Sequence, residues 1–274
     1  MLQIARMAAT TLDNHWMAWL RQCIRLGTDL QEIVRDLNQA GYDNDAIAQA
    51  IDTCRPVNDA TDEMHVPPLI RRMPPNLRKV DTPKLDLYLY DDFLSAAECD
   101  KVVALSDHHL RPSAVSFDNG DKYFRTSSTA HLSHLKSPVS ARLDEKICRA
   151  IGIRPGYAEG IQAQRYDVGQ EFKPHCDWFE PDTPIYMRMA GLRGNRTWTF
   201  MVYLNEGMQG GATRFTTIDY AVQPRTGMAV LWNNLRPDGT PNPDTMHCGE
   251  PVTAGHKLII TKWFRAIGDG PLFY

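Results

Sequence analysis

No stretch of this 274-residue chain approaches the roughly 18 consecutive apolar residues of a membrane-spanning helix, so no membrane partner is expected. The first apolar stretch is broken by Arg6 and followed by Asp13, Asn14 and His15, a poor centre for a secretory signal, and a cytoplasmic location is expected. There is no C-x-x-C pair among Cys23, Cys54, Cys99, Cys148, Cys176 and Cys248, which argues against a structural zinc site and for reduced packing residues. Neither sign of charge dominates: 30 Lys and Arg face 33 Asp and Glu, net −3, so a nucleic-acid partner held mainly by phosphate contacts is excluded. What remains is ordinary globular composition, 43% hydrophobic and 23% charged, at a length that suits one large domain or two modest ones.

Three regions follow from pattern. Residues 1–56 read as a helical module: Leu30, Ile33, Val34 and Leu37 follow helical spacing behind a capping-box pattern from Thr28 to Gln31, and Ile47, Ala50, Ile51 and Cys54 repeat the spacing after Gly41. This module is either a cap on the main domain or a device for recruiting substrate or forming a homodimer. Residues 57–84 are rich in proline and basic residues, so an extended linker is expected and a central strand is not. From Leu85 to the end, two helices (one capped by Ser95 with Glu98, one over 139–150) precede many short β segments divided by Gly and Pro. This predicts an α+β chain with a sandwich or jelly-roll core braced by helices.

The chemistry centres on His175 and Asp177. On an extended strand, residues two apart face the same way, so both can grip one metal while Cys176 points off. A second histidine from a distant strand, His247, completes two histidines and a carboxylate, the facial set of non-haem Fe(II) oxygenases, which leaves positions open for a co-substrate and dioxygen. Zinc is the competing metal. An H-x-D triplet with a later histidine also arises by chance, so the flanking residues decide.

Those flanks are LYDDFLSAAEC ending at Cys99, RTSSTAHL from Arg125, QRYDVGQEFKPHCDWF from Gln164, RTWTFMVYLNEGMQGGATRF from Arg196 and LWNNLRPDGTPNPDTMHCGEPVTAGHKLIITKWF from Leu231. In identity and order they resemble the prolyl 4-hydroxylase-like branch of the Fe(II)/2-oxoglutarate dioxygenases, from about Leu85 to Arg265. The resemblance implies a double-stranded β-helix, Fe(II) on His175, Asp177 and His247, and 2-oxoglutarate and O2 as co-substrates, with ascorbate as a further cofactor. It places Lys257 on the far carboxylate of 2-oxoglutarate, with Tyr166 and Thr199 as polar contacts and Trp263 nearby. Strand alternation agrees, since Lys257, Ile259, Thr261, Trp263 and Arg265 share one face.

Arg125 belongs to a motif whose strand lines the substrate groove in relatives. The stretch from Phe179 to Asn195 reads as an irregular insertion whose Arg188 and Arg193 suit a lid, with Arg196 just after it. One departure stands out: relatives acting on peptidyl proline often carry histidine where this chain has Arg265. The implied activity is hydroxylation of a prolyl residue in a peptide or protein, with succinate and CO2 as co-products. The alternatives are a free or carrier-bound cyclic amino acid, proline or pipecolate, and a non-catalytic binding module on the same scaffold.

Overall fold

The computed structural model describes residues 11–26, 28–54, 66–113, 121 and 123–274; the stretch containing Arg6 and the first part of the linker lie outside them. Three helices open the chain, Asn14–Leu26 (α1), Leu30–Gln39 (α2) and Asn44–Cys54 (α3), and they bury Leu20, Ile24, Ile33, Leu37, Ile47 and Ile51 against one another. The expected capping box does not form. Asp29 is the cap, one position closer to the helix than Thr28, its side chain accepting from the Gln31 amide at 2.7 Å.

The segment after residue 65 is not a plain extended wrap. It contains a short helix, Pro68–Arg72 (α4), and a strand, Leu77–Lys79 (β1), and buries Leu69, Ile70, Leu77 and Val80. Pro67 and Pro68 favour a helix start, where a missing amide proton costs nothing. β1 lies at the edge of its sheet, where the prolines around it are tolerated.

The main body alternates Leu87–Tyr90 (β2), Ala96–Asp107 (α5), Arg111–Pro112 (β3), Ser128–His131 (β4), Pro138–Ile151 (α6), Gln162–Tyr166 (β5), Phe172–His175 (β6), Pro184–Ala190 (α7) and Arg196–Tyr203 (β7). It then continues through Gln209–Gly210 (β8), Thr213–Phe215 (β9), Tyr220–Val222 (β10), Ala229–Asn233 (β11), His247–Gly249 (β12), Val252–Ala254 (β13) and Lys257–Arg265 (β14). Eight strands form one sheet, ordered β1-β2-β11-β7-β14-β5-β4-β3; β10-β9-β12-β6 form the second, and β13 pairs with β8. Every pairing is antiparallel. The two sheets make a jelly-roll, double-stranded β-helix core.

Alternation assigns the faces. Trp198, Phe200, Val202, Leu231, Leu258 and Ile260 pack under α5 and α6, while Met201, Tyr203, Val230, Trp232 and Ile259 pack between the sheets with Phe215. The central strands are apolar on both faces for this reason. Gly210 and Gly211 have φ of +71° and +70°, and a Cβ on Gly210 would lie 2.2 Å from the Pro251 carbonyl oxygen, so only glycine lets β8 cross β13. The expected irregular insertion carries α7 instead, started by Thr183, whose side chain accepts from the Tyr186 amide, with Pro184 in the first turn. Leu192, just past α7, joins the apolar cluster of the N-terminal helices. Among the described residues, no helix is long and apolar enough to cross a membrane.

Candidate metal and co-substrate site

β6 and β12 are paired with His175 directly opposite His247, and Asp177 follows β6 by two residues. One ligand atom from each of the three lies within 4.8 Å of the others. His175 Nε2 is 3.9 Å from Asp177 Oδ1, and His247 Nε2 is 4.0 Å from Asp177 Oδ2. Each imidazole has Nδ1 at 2.8 Å from a backbone carbonyl, that of Lys173 for His175 and that of Thr245 for His247. A carbonyl only accepts, so Nδ1 carries the proton and each Nε2 lone pair is left for a metal.

Electrostatics favour the same protonation states. Burial and the neighbouring His247 push the His175 imidazolium down to about 3, which keeps the ring neutral. Burial raises the Asp177 carboxyl, but its charged surroundings, Arg196 among them, and the Thr199 hydroxyl lower it, and the net direction is downward. Two neutral imidazoles and a carboxylate are the donor set of an Fe(II) facial triad.

A narrow inner pocket of about 40 Å³ runs from the triad to Lys257. Lys257 is only 1% exposed, and its one hydrogen-bond partner among the described residues is Thr213 Oγ1 at 3.4 Å. Its Nζ lies 5.3 and 5.5 Å from the rings of Tyr166 and Tyr203. Burial draws the ammonium down to about 7, partly offset by Cys248 and Glu250. An ammonium so enclosed is costly without an anion. Beside it, Gly249 leaves room that a Cβ would fill at 3.7 Å from Nζ. A dicarboxylate with one end on Lys257 and the other toward the triad fits this donor set and this cradle.

The remaining expected contacts divide. Tyr166 is buried opposite Lys257 on β5, its hydroxyl donating to Gln164 Oε1 at 2.9 Å, and it lines the pocket. Thr199 does not line it: the hydroxyl donates to Asp177 Oδ2 at 2.7 Å and accepts from Asn234 at 2.9 Å, so it orients a metal ligand instead of touching the co-substrate. Two threonines, Thr213 and Thr261, also line the pocket; alternation along the lysine strand places Thr261 on the Lys257 face, whereas Thr213 carries no local signal because threonine is an ordinary strand residue. Trp263 borders both the inner pocket and a wider cleft of about 430 Å³ outside the triad.

Arg125 also stands at that junction, its guanidinium donating to Ser127 Oγ at 3.2 Å and Thr129 Oγ1 at 3.0 Å. The other three arginines do not line the cleft. Arg188 faces Asp29 of the N-terminal module at 3.9 Å. Arg193 is buried and donates to the carbonyls of Gly156 and Ala158. Arg265 is buried 3.2 Å from Glu159 and donates to the Met189 carbonyl, which fastens the α7 segment to the core.

Arg196, like Arg125, lines the cleft. It forms a bidentate pair with Glu159 at 2.7 and 2.9 Å, donates to the Asp177 carbonyl at 3.3 Å and lies 3.9 Å over the Trp263 ring. Burial would raise the Glu159 carboxyl, but Arg196, Arg265 and Arg193 hold it at about 2.

Residues 161–265 match the family described as the 2OG-Fe(II) oxygenase superfamily. Prolyl 4-hydroxylase subunit alpha-3 of Mus musculus is 35% identical over 188 residues, covering 66% of this chain and 34% of that protein. Subunit alpha-1 of Gallus gallus is 33% identical over 193 residues, covering 69% and 37%. The chain thus spans about a third of the length of these curated relatives. A viral collagen prolyl hydroxylase from Paramecium Bursaria Chlorella virus-1, solved as its 2OG complex, aligns with a TM-score of 0.52 at 26% identity, over 66% of this chain and 96% of that one. The matched segment contains both strands that bring the histidines together and the lysine strand that closes the pocket; residues 161–265 form a 2OG-Fe(II) oxygenase domain, similar in sequence to prolyl 4-hydroxylase alpha subunits.

Proposed function

We propose that this chain is an Fe(II)- and 2-oxoglutarate-dependent hydroxylase acting on a prolyl residue of a peptide or protein. The observation that carries the proposal is one continuous arrangement: a buried lysine at the closed end of a pocket, a complete metal triad at its mouth, and a roomy cleft beyond. In the balanced reaction, 2-oxoglutarate, O2 and a substrate C–H yield succinate, CO2 and C–OH. Iron bound by His175, Asp177 and His247 supplies dioxygen activation. Lys257 neutralises the far carboxylate of 2-oxoglutarate, with Thr213 and the Tyr166 wall fixing its direction. Thr199 and Arg196 hold Asp177 in place from its carboxylate and its carbonyl. Trp263 and Phe172 keep water from the junction, and Arg125 meets the substrate there. Ascorbate is proposed as an added reductant.

A substrate longer than one amino acid is favoured by the outer cleft, whose 430 Å³ lies within the range of about 300–1,000 Å³ that encloses ligands much larger than free proline. The complete ligand set speaks against a non-catalytic module. The test is to incubate the iron-loaded protein with prolyl peptides and with free proline and pipecolate. A one-oxygen mass gain matched by succinate on the peptides is the expected result; hydroxylation of the free imino acids alone would replace the peptidyl reading. Alanine at His175, Asp177 or His247 should abolish Mn(II) binding in calorimetry, and retained binding would remove that residue from the ligand set.

A further inference from the structure

The outer cleft has a charge pattern that hydroxylation itself does not require. Apart from the metal ligands His175 and Asp177, its basic lining residues are His109, Arg111, Arg125, His131 and Arg196, and no acid is among its described lining residues. Arg196 is neutralised by Glu159. The other four lie along the β3–β4 side. Arg111 is paired with Thr129 across β3 and β4, His131 ends β4, and Arg125 bridges to Phe172. His109, Arg111 and His131 are exposed at the rim. Burial, His134 and Arg125 hold His131 below the usual imidazole range, so it adds a hydrogen-bond donor more than a charge. The exposed positive charge on this side is that of Arg111.

Arg125 is held in place before any substrate arrives. Ser113 Oγ is 2.8 Å from Ser127 Oγ and 2.6 Å from Thr129 Oγ1, and both of those hydroxyls accept from its guanidinium. The facing wall is aromatic, with Trp178, Phe179 and Trp263. One side of the cleft therefore suits an apolar ring and the other an anion, in a chain whose net charge is −3.

We propose that the cleft selects prolyl peptides carrying acidic side chains on one side of the target residue. The inference rests on the hydroxylase reading and adds a substrate class to it. The sheet sets the spacing. From β14, which carries Trp263, to β3, which carries Arg111, the order is β14-β5-β4-β3. Three strand spacings of about 4.8 Å make roughly 14 Å. An extended peptide advances about 3.4 Å per residue, so this distance is about four residues, and the Arg111 side chain, which lines the cleft, shortens it to about two to four.

The experiment uses the full chain and three matched prolyl peptides with Glu, Ser or Lys two to four residues from the proline, on either side. The expected order of kcat/KM is Glu above Ser above Lys, at least tenfold between the extremes at low ionic strength and shrinking as salt is added. Arg111→Glu should lower turnover of the Glu peptide about tenfold and raise that of the Lys peptide; Arg111→Gln should fall between. Equal kcat/KM for all three peptides, or an unchanged order in Arg111→Glu, would overturn the proposal. If no peptide is hydroxylated, the prolyl reading fails separately. The charge inference is then decided by fluorescence anisotropy of the same labelled peptides on protein loaded with Mn(II) and 2-oxoglutarate: the same order supports it and equal affinities refute it.

Discussion

Replacing Lys257 tests the co-substrate end of the site without touching the metal. The ammonium is 1% exposed, hydrogen-bonded to Thr213 and placed beside the gap at Gly249. A charge-assisted hydrogen bond contributes about 1.5–3 kcal/mol net. With 1.4 kcal/mol per tenfold, Lys257→Ala should weaken 2-oxoglutarate binding by about 10- to 150-fold. Lys257→Met, which keeps most of the volume and removes the charge, should lose nearly as much, and Lys257→Arg should recover part of it. Mn(II) affinity should barely move, since Lys257 is not among the ligands.

The same lysine sets a pH dependence. With no anion bound, burial holds its pKa at about 7, below the usual lysine value. Binding requires the charged form, so 2-oxoglutarate affinity should fall as pH rises above about 7, approaching tenfold per unit, and the methionine variant should lack that slope. For stability the sign is opposite. Between about 7 and the unfolded value near 10.4 the unfolded chain holds the extra proton, so this group makes the ligand-free fold more stable as pH rises through that window. Paired anaerobic calorimetric titrations of Mn(II) and 2-oxoglutarate, on wild type and the three variants, decide the matter. Loss of metal binding with 2-oxoglutarate binding intact in Lys257→Met would refute the anchor role.

Thr199→Val removes the hydroxyl that holds Asp177 Oδ2, so metal affinity should drop about 10- to 100-fold with little change in 2-oxoglutarate affinity at saturating metal; the reverse pattern would restore Thr199 to the co-substrate. Glu159→Gln leaves Arg196, Arg193 and Arg265 without their shared counter-charge and should cost about 3–5 kcal/mol in denaturant unfolding. Because the folded pKa of Glu159 is about 2, its contribution is present above the unfolded value near 4.3 and is lost as pH falls from there toward 2, a loss the glutamine variant should not show. A chain beginning at Val66 keeps α4, β1 and the buried Leu69 and Leu77, and should retain substrate-free 2-oxoglutarate decarboxylation. A folded chain of that length unable to bind 2-oxoglutarate would show that the N-terminal helices support the pocket.

The elements legible in the sequence are those whose chemistry is local. The Ser95–Glu98 box, the alternation along β14 and the H-x-D pair each carry their signal within a few residues, and each has its counterpart in the fold. The readings that changed depend on partners far along the chain. Thr199 was assigned to 2-oxoglutarate, but nothing local says that its hydroxyl meets Asp177 across two sheets. Arg193 reads as a lid cation and Arg265 as a departure from a family histidine, because only the fold reveals Glu159 beside them. Arg111, on a short edge strand, and His109, just before it, carry no local signal, since exposed basic residues look like solvated charge until the cleft is closed around them.

β14 buries two lysines on opposite faces. Lys257 looks into the co-substrate pocket, while Lys262, five positions later and 1% exposed, looks outward to Asp144 Oδ1 at 2.6 Å and the Glu159 carbonyl at 2.7 Å. Side chains alternate with a period of two, so a one-residue slip of this strand would exchange the faces of both. Lys262 would then enter the pocket and abandon Asp144, and Lys257 would press its ammonium into the apolar layer beneath α5 and α6. Two desolvated, unpaired charges would arise from a single error, and an apolar strand in the same place would pass the slip with little loss. The lysine that anchors the co-substrate thus also takes part in proofreading how the barrel closes.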